Sequence, residues 1–166
     1  MLTLPGTDLV VHELCLGGNV FGWGADKAES IDVLNAYASY GGNFIDTADL
    51  YSEWKPGNVG GESERIIGEW LRGRNRSEVV IATKVSLYSK RPGLRPENII
   101  TACNESLERL GTDYIDIYYS HKDDNEVPIA ETLGAYAQLI KAGKVRYIAA
   151  SQHTGARLQE IGRAHV

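Results

Sequence analysis

Four side chains able to carry or move a proton stand at the ends of three apolar runs. They are Asp46 and Tyr51 in FIDTADLY (44–51), Lys84 in VVIATK (79–84) and His121 in IDIYYSH (115–121). A free phenol has a pKa near 10 and is a poor proton donor at neutral pH. An ammonium such as that of Lys84, set beside it, favours the phenolate and so helps the phenol give up its proton. Asp46 would hold Lys84 in place and charged, since a buried ammonium otherwise tends to lose its proton. His121 can orient a carbonyl oxygen or assist the transfer. The set suits protonation of a carbonyl oxygen by Tyr51 while hydride reaches the carbon; no side chain supplies hydride, so a cofactor must. Singly, each residue has an ordinary reading as a rim aromatic, a turn cap, a solvated charge or a loop histidine. Delivered together by successive strands to one rim, they read as a reaction site.

Further polar residues lie at the same level of the sequence pattern. Ser151 ends the run VRYIAAS and Gln152 follows it; the pair suits an amide-bearing ligand, or equally a local turn before the next helix. His153 reads as an ordinary loop residue. The run SHKDDNE (120–126) places His121, Asp123 and Asp124 near one another, but no second histidine on another strand accompanies them. Acidic residues ahead of a helix are explained more simply by its positive end, so no metal is expected. Trp23 and Trp54 fall in predicted strand-to-helix loops, where they could line an apolar pocket or stand as rim aromatics.

The elements that must position these groups follow a coarse rhythm. Strand-like runs begin near Leu14, Phe44, Val79, Ile115 and Val145, between 30 and 36 residues apart, with a helical pattern in each gap. Asp26 and Glu29 form a capping-box pair ahead of Ile31, Leu34 and Tyr37. Ile66, Ile67, Trp70 and Leu71 mark a second helix. Pro96 opens a third, with Ile99, Ile100, Cys103, Leu107 and Leu110, and Pro128 a fourth, with Ile129, Leu133, Tyr136 and Ile140. Gly41-Gly42, Gly111 and Gly143 follow three of these helices, where a left-handed cap is wanted. Alternation with short loops predicts an α/β fold with a parallel sheet and right-handed crossovers. Leu2–Val11, with Pro5-Gly6 at its centre, predicts a hairpin over the bottom of the sheet. The turn Gly17-Gly18-Asn19, then Gly22 and Gly24, does not make G-x-G-x-x-G and does not run straight into a helix, which argues against an open dinucleotide-binding sheet. Functional groups spread over many strand tops suit a barrel.

Composition narrows the function classes. The chain has 166 residues, 43% of them hydrophobic and 23% charged, with a formal charge of −5. That is enough for one domain with a real core. No basic stripe points to nucleic acid and no polybasic segment to a membrane surface. The opening MLTLPGTDLVVHELCLGG lacks a basic n-region and an unbroken apolar h-region, so no signal peptide is expected. No apolar run approaches the roughly 20 residues needed to span a bilayer. Cys15 and Cys103, both at apolar positions, are expected as buried free thiols of a reducing compartment, hence a cytoplasmic protein.

These motifs resemble the aldo-keto reductase family over residues 2–160. FIDTADLY is similar to the family's second-strand signature, with Asp46 and Tyr51 at its aspartate and tyrosine. IATK supplies the lysine, YYSH the histidine, and KAGKVRYIAAS a fifth strand ending at Ser151. The resemblance implies an NADP(H)-dependent reductase of small aldehyde or ketone substrates on a (β/α)8 TIM barrel, with Asp46, Tyr51, Lys84 and His121 catalytic and Tyr51 the proton donor. It further implies cofactor contacts from Gly18, Asn19, Asp46, Ser151 and Gln152, the last standing where the family usually has Asn. It leaves the oligomeric state open.

A barrel of this kind takes about 250 residues, so residues 1–160 are expected to form an incomplete TIM barrel: strands one to five with an N-terminal hairpin. Its two unpaired sheet edges imply a chain that is inactive alone and partly unfolded or aggregated. IGRAHV (161–166) continues no apolar stripe; ATC GGA AGA GCA CAC GTC would encode it and reads like a sequencing-library adapter, so a non-native tail is expected there. The alternatives are a regulatory or binding subunit on the same barrel, such as a channel-associated one, and a phosphate-handling barrel isomerase or aldolase.

Overall fold

The computed structural model describes residues 1–164. Strands β1 (Leu2–Thr3) and β2 (Val10–Val11) pair antiparallel as a hairpin. Five further strands form one parallel sheet: β3 (Leu16–Gly17), β4 (Phe44–Asp46), β5 (Val80–Val85), β6 (Ile115–Ser120) and β7 (Val145–Ala150). Helices α1 (Lys27–Ser39), α2 (Glu62–Leu71), α3 (Pro96–Leu110) and α4 (Ile129–Lys141) fill the four connections, and α5 (Gly155–Ala164) follows β7.

Spatial order equals sequence order, β3-β4-β5-β6-β7. A doubly wound sheet reverses direction at a switch point and carries helices on both faces. A sheet with no reversal, joined by crossovers of one hand, keeps its helices on one face, as a barrel does. The packing agrees. One apolar cluster joins Ile45, Ile81 and Tyr118 of the sheet to Leu34, Ile67, Ile99, Cys103 and Leu139 of the helices. A second joins Val80, Ala82 and Ile117 on the opposite face to Leu9 and Val11 of the hairpin segment, with no helix involved. The fold is therefore five strands of a TIM-type barrel, closed at the bottom by the hairpin. Among the described residues, the outer edges of β3 and β7 have no strand partner.

Local sequence explains the helices. Asp26 caps α1 in a reciprocal capping box with Glu29. Pro96 opens α3, and Gly111 ends it with φ +63°, in the left-handed region. α4 departs from the expected stripe. Its buried residues include Thr132, Ala135, Tyr136 and Leu139, whereas Ile140 is exposed and Leu133 only half-buried.

Two expectations about the first strand are corrected. Pairing begins at Leu16 rather than near Leu14, which is 62% exposed. Cys15 is exposed, not buried, since it lies ahead of β3, before pairing begins; Cys103 is buried, and that burial pushes its thiol up to about 12. No helix among the described residues is long and apolar enough to cross a membrane. α5 runs past Glu160 to Ala164, across the boundary expected for the tail, while His165 and Val166 lie outside the described residues.

Candidate functional site

Strand periodicity decides which side chains meet. On β5, Ile81, Thr83 and Val85 point to the helices, so Val80, Ala82 and Lys84 point to the concave face. Asp46 of β4 is in register with Ala82, one pleat below Lys84 on the same face. The lysine therefore passes directly over the carboxylate. Its Nζ donates to Asp46 Oδ2 at 2.6 Å, to the Thr47 carbonyl at 2.8 Å and to the Tyr51 hydroxyl at 3.1 Å. An ammonium has three donor hydrogens and no acceptor, so these bonds saturate it. Lys84 is 7% exposed and half-buried Asp46 neutralises it. Because Tyr51 accepts from Lys84, the proton of its own hydroxyl is directed elsewhere, available to a ligand on the concave face.

His121, just past β6, completes the cluster. Its ring stands edge-on to that of Tyr51, centroids 5.9 Å apart, and its backbone N–H donates to the Val85 carbonyl at 2.8 Å. Burial first, and the Lys84 charge second, hold its pKa down at about 4. The imidazole is thus neutral at neutral pH and offers a hydrogen bond rather than a charge. Its Nδ1 is buried without a partner among the described residues.

The other expected residues ring this cluster. Gly18 N–H donates to the Asp46 carbonyl at 2.7 Å, and a Cβ at Gly18 would stand 2.8 Å from Ser63 Oγ, so only glycine lets the loop after β3 close onto β4. Asn19 is exposed beside it and its side chain makes no hydrogen bond among the described residues. Ser151 follows β7 with its N–H on the Ser120 carbonyl at 2.9 Å. Gln152 has φ +54° and donates from Nε2 to the His121 carbonyl at 3.1 Å, which ties the loops after β6 and β7 together and leaves its Oε1 free. The Ser151 hydroxyl, Gln152 Oε1 and the Asn19 carboxamide have no hydrogen-bond partner among the described residues, and they are of the donor and acceptor types that an amide-bearing ligand such as nicotinamide would take. On the strength of those free groups, the residues present fit that group.

The acidic run is engaged within the protein. Asp123 pairs with Arg157 at 3.0 Å and lies 3.6 Å from His153 Nε2, while Asp124 accepts the Leu94 N–H at 2.8 Å. His153 is a half-buried residue of the loop between β7 and α5, with its side chain turned inward beside Asp123. These residues border an apolar cavity of about 280 Å3 between β6, β7, α4 and α5, on the helix side of the sheet and away from Lys84.

Behind the sheet lies a polar cluster with no counterpart in the sequence reading. Glu64 of α2, fully buried, accepts from Thr83 Oγ1 at 2.6 Å and from Arg109 Nε at 2.5 Å. Asp49, three residues after Asp46, is 2% exposed and neither carboxylate oxygen has a partner among the described residues. Burial, reinforced by Glu64 and opposed by Arg109, pushes its pKa up to about 8. One signal was available: Glu64 lies on the same helical stripe as Ile67, Gly68 and Leu71, so it had to be buried with them.

Comparison with known proteins agrees with this architecture. The family model described as the aldo/keto reductase family matches residues 13–166, and the chain belongs to that family. It is 37% identical over 138 residues to the aldo-keto reductase str7 of Strobilurus tenacellus, covering 82% of this chain and 38% of that protein. It is 35% identical over 169 residues to the aryl-alcohol dehydrogenase [NADP(+)] of Phanerodontia chrysosporium, covering 89% of this chain and 42% of that one. A thermostable aldo-keto reductase crystallised with the inhibitor epalrestat superposes with a TM-score of 0.83 at 29% identity, over 99% of this chain and 58% of that one. The chain thus spans about two-fifths of the length of these two curated relatives.

Proposed function

We propose that this chain carries the proton-transfer site of an NADP(H)-dependent reductase of small aldehydes or ketones. One observation carries the reading: a saturated ammonium, Lys84, bonded at once to the Asp46 carboxylate and the Tyr51 hydroxyl. Tyr51 donates its proton to the carbonyl oxygen as the carbon is reduced. The phenolate left behind faces the Lys84 charge 3.1 Å away, which stabilises it until a proton returns from solvent. Asp46 keeps the lysine charged and aimed. His121, neutral, orients the carbonyl oxygen by a hydrogen bond.

NADP(H), when bound, supplies the hydride. Gly18, Asn19, Asp46, Ser151 and Gln152 are the residues of this chain that would hold it. The NADP(+) in the name of the Phanerodontia chrysosporium relative supports NADP(H) over NAD(H). Residues 1–160 are read as the barrel portion, and the two free thiols suit a cytoplasmic setting.

The test is turnover by the completed barrel protein with NADPH and a simple aldehyde. Tyr51→Phe keeps the ring and its aromatic neighbours and removes the hydroxyl, both the acidic hydrogen and the oxygen that accepts from Lys84. It should lower kcat/KM by about 10²–10⁴. Retained activity in that variant would move the proton donor elsewhere. Absence of turnover in the wild-type protein would favour a binding or regulatory role for the same barrel.

A further inference from the structure

Lys84 gives one of its three hydrogens to a backbone atom, the Thr47 carbonyl, at 2.8 Å. The strand ladder does not aim that carbonyl. Thr47 N–H still pairs across to β5, on the Ala82 carbonyl at 2.8 Å, but β4 ends at Asp46 and the next carbonyl turns to Lys84. What holds it there lies on the helix side of the sheet. Thr47 is one residue beyond Asp46, so its side chain takes the face opposite to the carboxylate. There Thr47 Oγ1 donates to Ser63 Oγ at 2.8 Å, and Ser63 Oγ donates in turn to the Gly18 carbonyl at 2.8 Å. Gly18 N–H returns to the Asp46 carbonyl at 2.7 Å. The bonds close a ring through the loop after β3, the end of β4 and the first turn of α2. Thr47 and Ser63 are fully buried, and a hydroxyl has one hydrogen, so the direction of the relay is fixed. Its anchor is firm: the Glu64–Arg109 pair and the close approach of Gly68 to the α3 backbone hold α2 from behind.

We propose that Ser63 and Thr47 are positioning residues for Lys84: their hydroxyl relay fixes the carbonyl that takes one ammonium hydrogen, and with it the aim of the other two at Asp46 and Tyr51. The consequence for rate rests on the reductase reading; the hydrogen bonding of Lys84 does not. Both hydroxyls lie behind the sheet and act only through the Thr47 carbonyl. With the relay broken, that carbonyl is no longer held toward Nζ. A buried ammonium hydrogen then lacks its acceptor, with little water at hand to replace it. The lysine tilts more freely, and its hold on the Tyr51 hydroxyl loosens.

The test reads Lys84 directly by nuclear magnetic resonance, in the full chain carrying 15N-labelled lysine. Lys84 is the one buried lysine among the described residues, so its ammonium hydrogens should exchange slowly with water where those of exposed lysines exchange fast. Lys84→Met assigns the resonance. Thr47→Val keeps the shape and loses the hydroxyl; it and Ser63→Ala should each speed that exchange roughly two- to tenfold, the worth of one ordinary hydrogen bond. Thr47→Ser, which keeps the hydroxyl, should restore the wild-type rate. The Ile81 amide, which donates to buried Asp116, reports on the fold and should exchange as in the wild type. Thr132→Val, the same change at a buried position of α4, should leave Lys84 unmoved. In the completed barrel protein Thr47→Val should lower kcat by a similar roughly two- to tenfold factor and leave KM for the aldehyde unchanged, since Lys84 acts on the proton in transit. No slow Lys84 resonance in the wild-type chain, unchanged exchange in both variants, no rescue by Thr47→Ser, or Ile81 exchange rising by the same factor would overturn the proposal. The two readings separate. Faster Lys84 exchange in a completed protein that reduces nothing sinks the reductase reading alone; turnover with unchanged exchange sinks the positioning alone.

Discussion

Lys84 donates all three of its hydrogens within the protein, and one acceptor is the residue proposed to give up a proton. That arrangement was legible in the sequence because Asp46 and Lys84 stand at strand ends, where alternation fixes which face each side chain takes, and Tyr51 follows in the same motif. Asp49 was not legible: it sits between Asp46 and Tyr51 in the same motif, yet the chain turns there and aims it behind the sheet, toward Glu64. Its carboxyl titrates at about 8 in the fold and near 4 when unfolded. Between those values the folded state binds the extra proton, so Asp49's contribution to stability is complete below pH 4 and falls as pH rises to 8. Asp49→Asn should remove that fall. Urea unfolding at pH 5 and pH 9 checks it: the variant should gain on the wild type at pH 9 relative to pH 5. An unchanged difference would mean that the carboxyl is already ionised at the lower pH. Cys15 was misread for a related reason, since the strand starts one residue later and leaves it outside the paired sheet.

The helices were legible wherever a cap or a proline declares an end, as at Asp26, Pro96 and Gly111. What local pattern did not convey is how closely two helices approach. At Gly68 of α2 an added Cβ would stand 2.4 Å from the Arg109 carbonyl of α3, so the two backbones touch there. Gly68→Ala must push them apart and should cost about 1–3 kcal/mol, as overpacking does. A few residues away Arg109 crosses the same seam to the buried Glu64. Removing one partner of a buried pair leaves a charge without compensation, and Arg109→Ala should cost about 3–5 kcal/mol. Glu64→Gln combined with Arg109→Met, which removes both charges, should cost less than Arg109→Ala alone. Denaturant midpoints of the three variants check this; a double variant weaker than Arg109→Ala would show that the pair stabilises by more than mutual compensation. The α4 stripe, drawn through Leu133 and Ile140, was rotated from the true one because Thr132 and Ala135 carry too little apolar surface to announce a buried face.

At the scale of the molecule, unreversed strand order is what makes one face concave and gathers the strand tops. The sequence conveyed the order through its rhythm of strands and helices, and the concavity through functional groups spread over many strand tops and through the resemblance. The sheet is open at β3 and β7, and the chain spans about two-fifths of the length of the curated relatives compared here. The 166-residue chain assayed alone should therefore show no NADPH-dependent turnover, since no strand among the described residues closes the concave face over Lys84 and Asp46. Stoichiometric NADPH binding with turnover by that chain would contradict this. The most direct measurement of the central claim is NADPH oxidation by the completed barrel protein with an aldehyde, wild type beside Tyr51→Phe. Turnover is expected in the first and a loss of about 10²–10⁴ in the second; equal rates in the two would rule out Tyr51 as the proton donor.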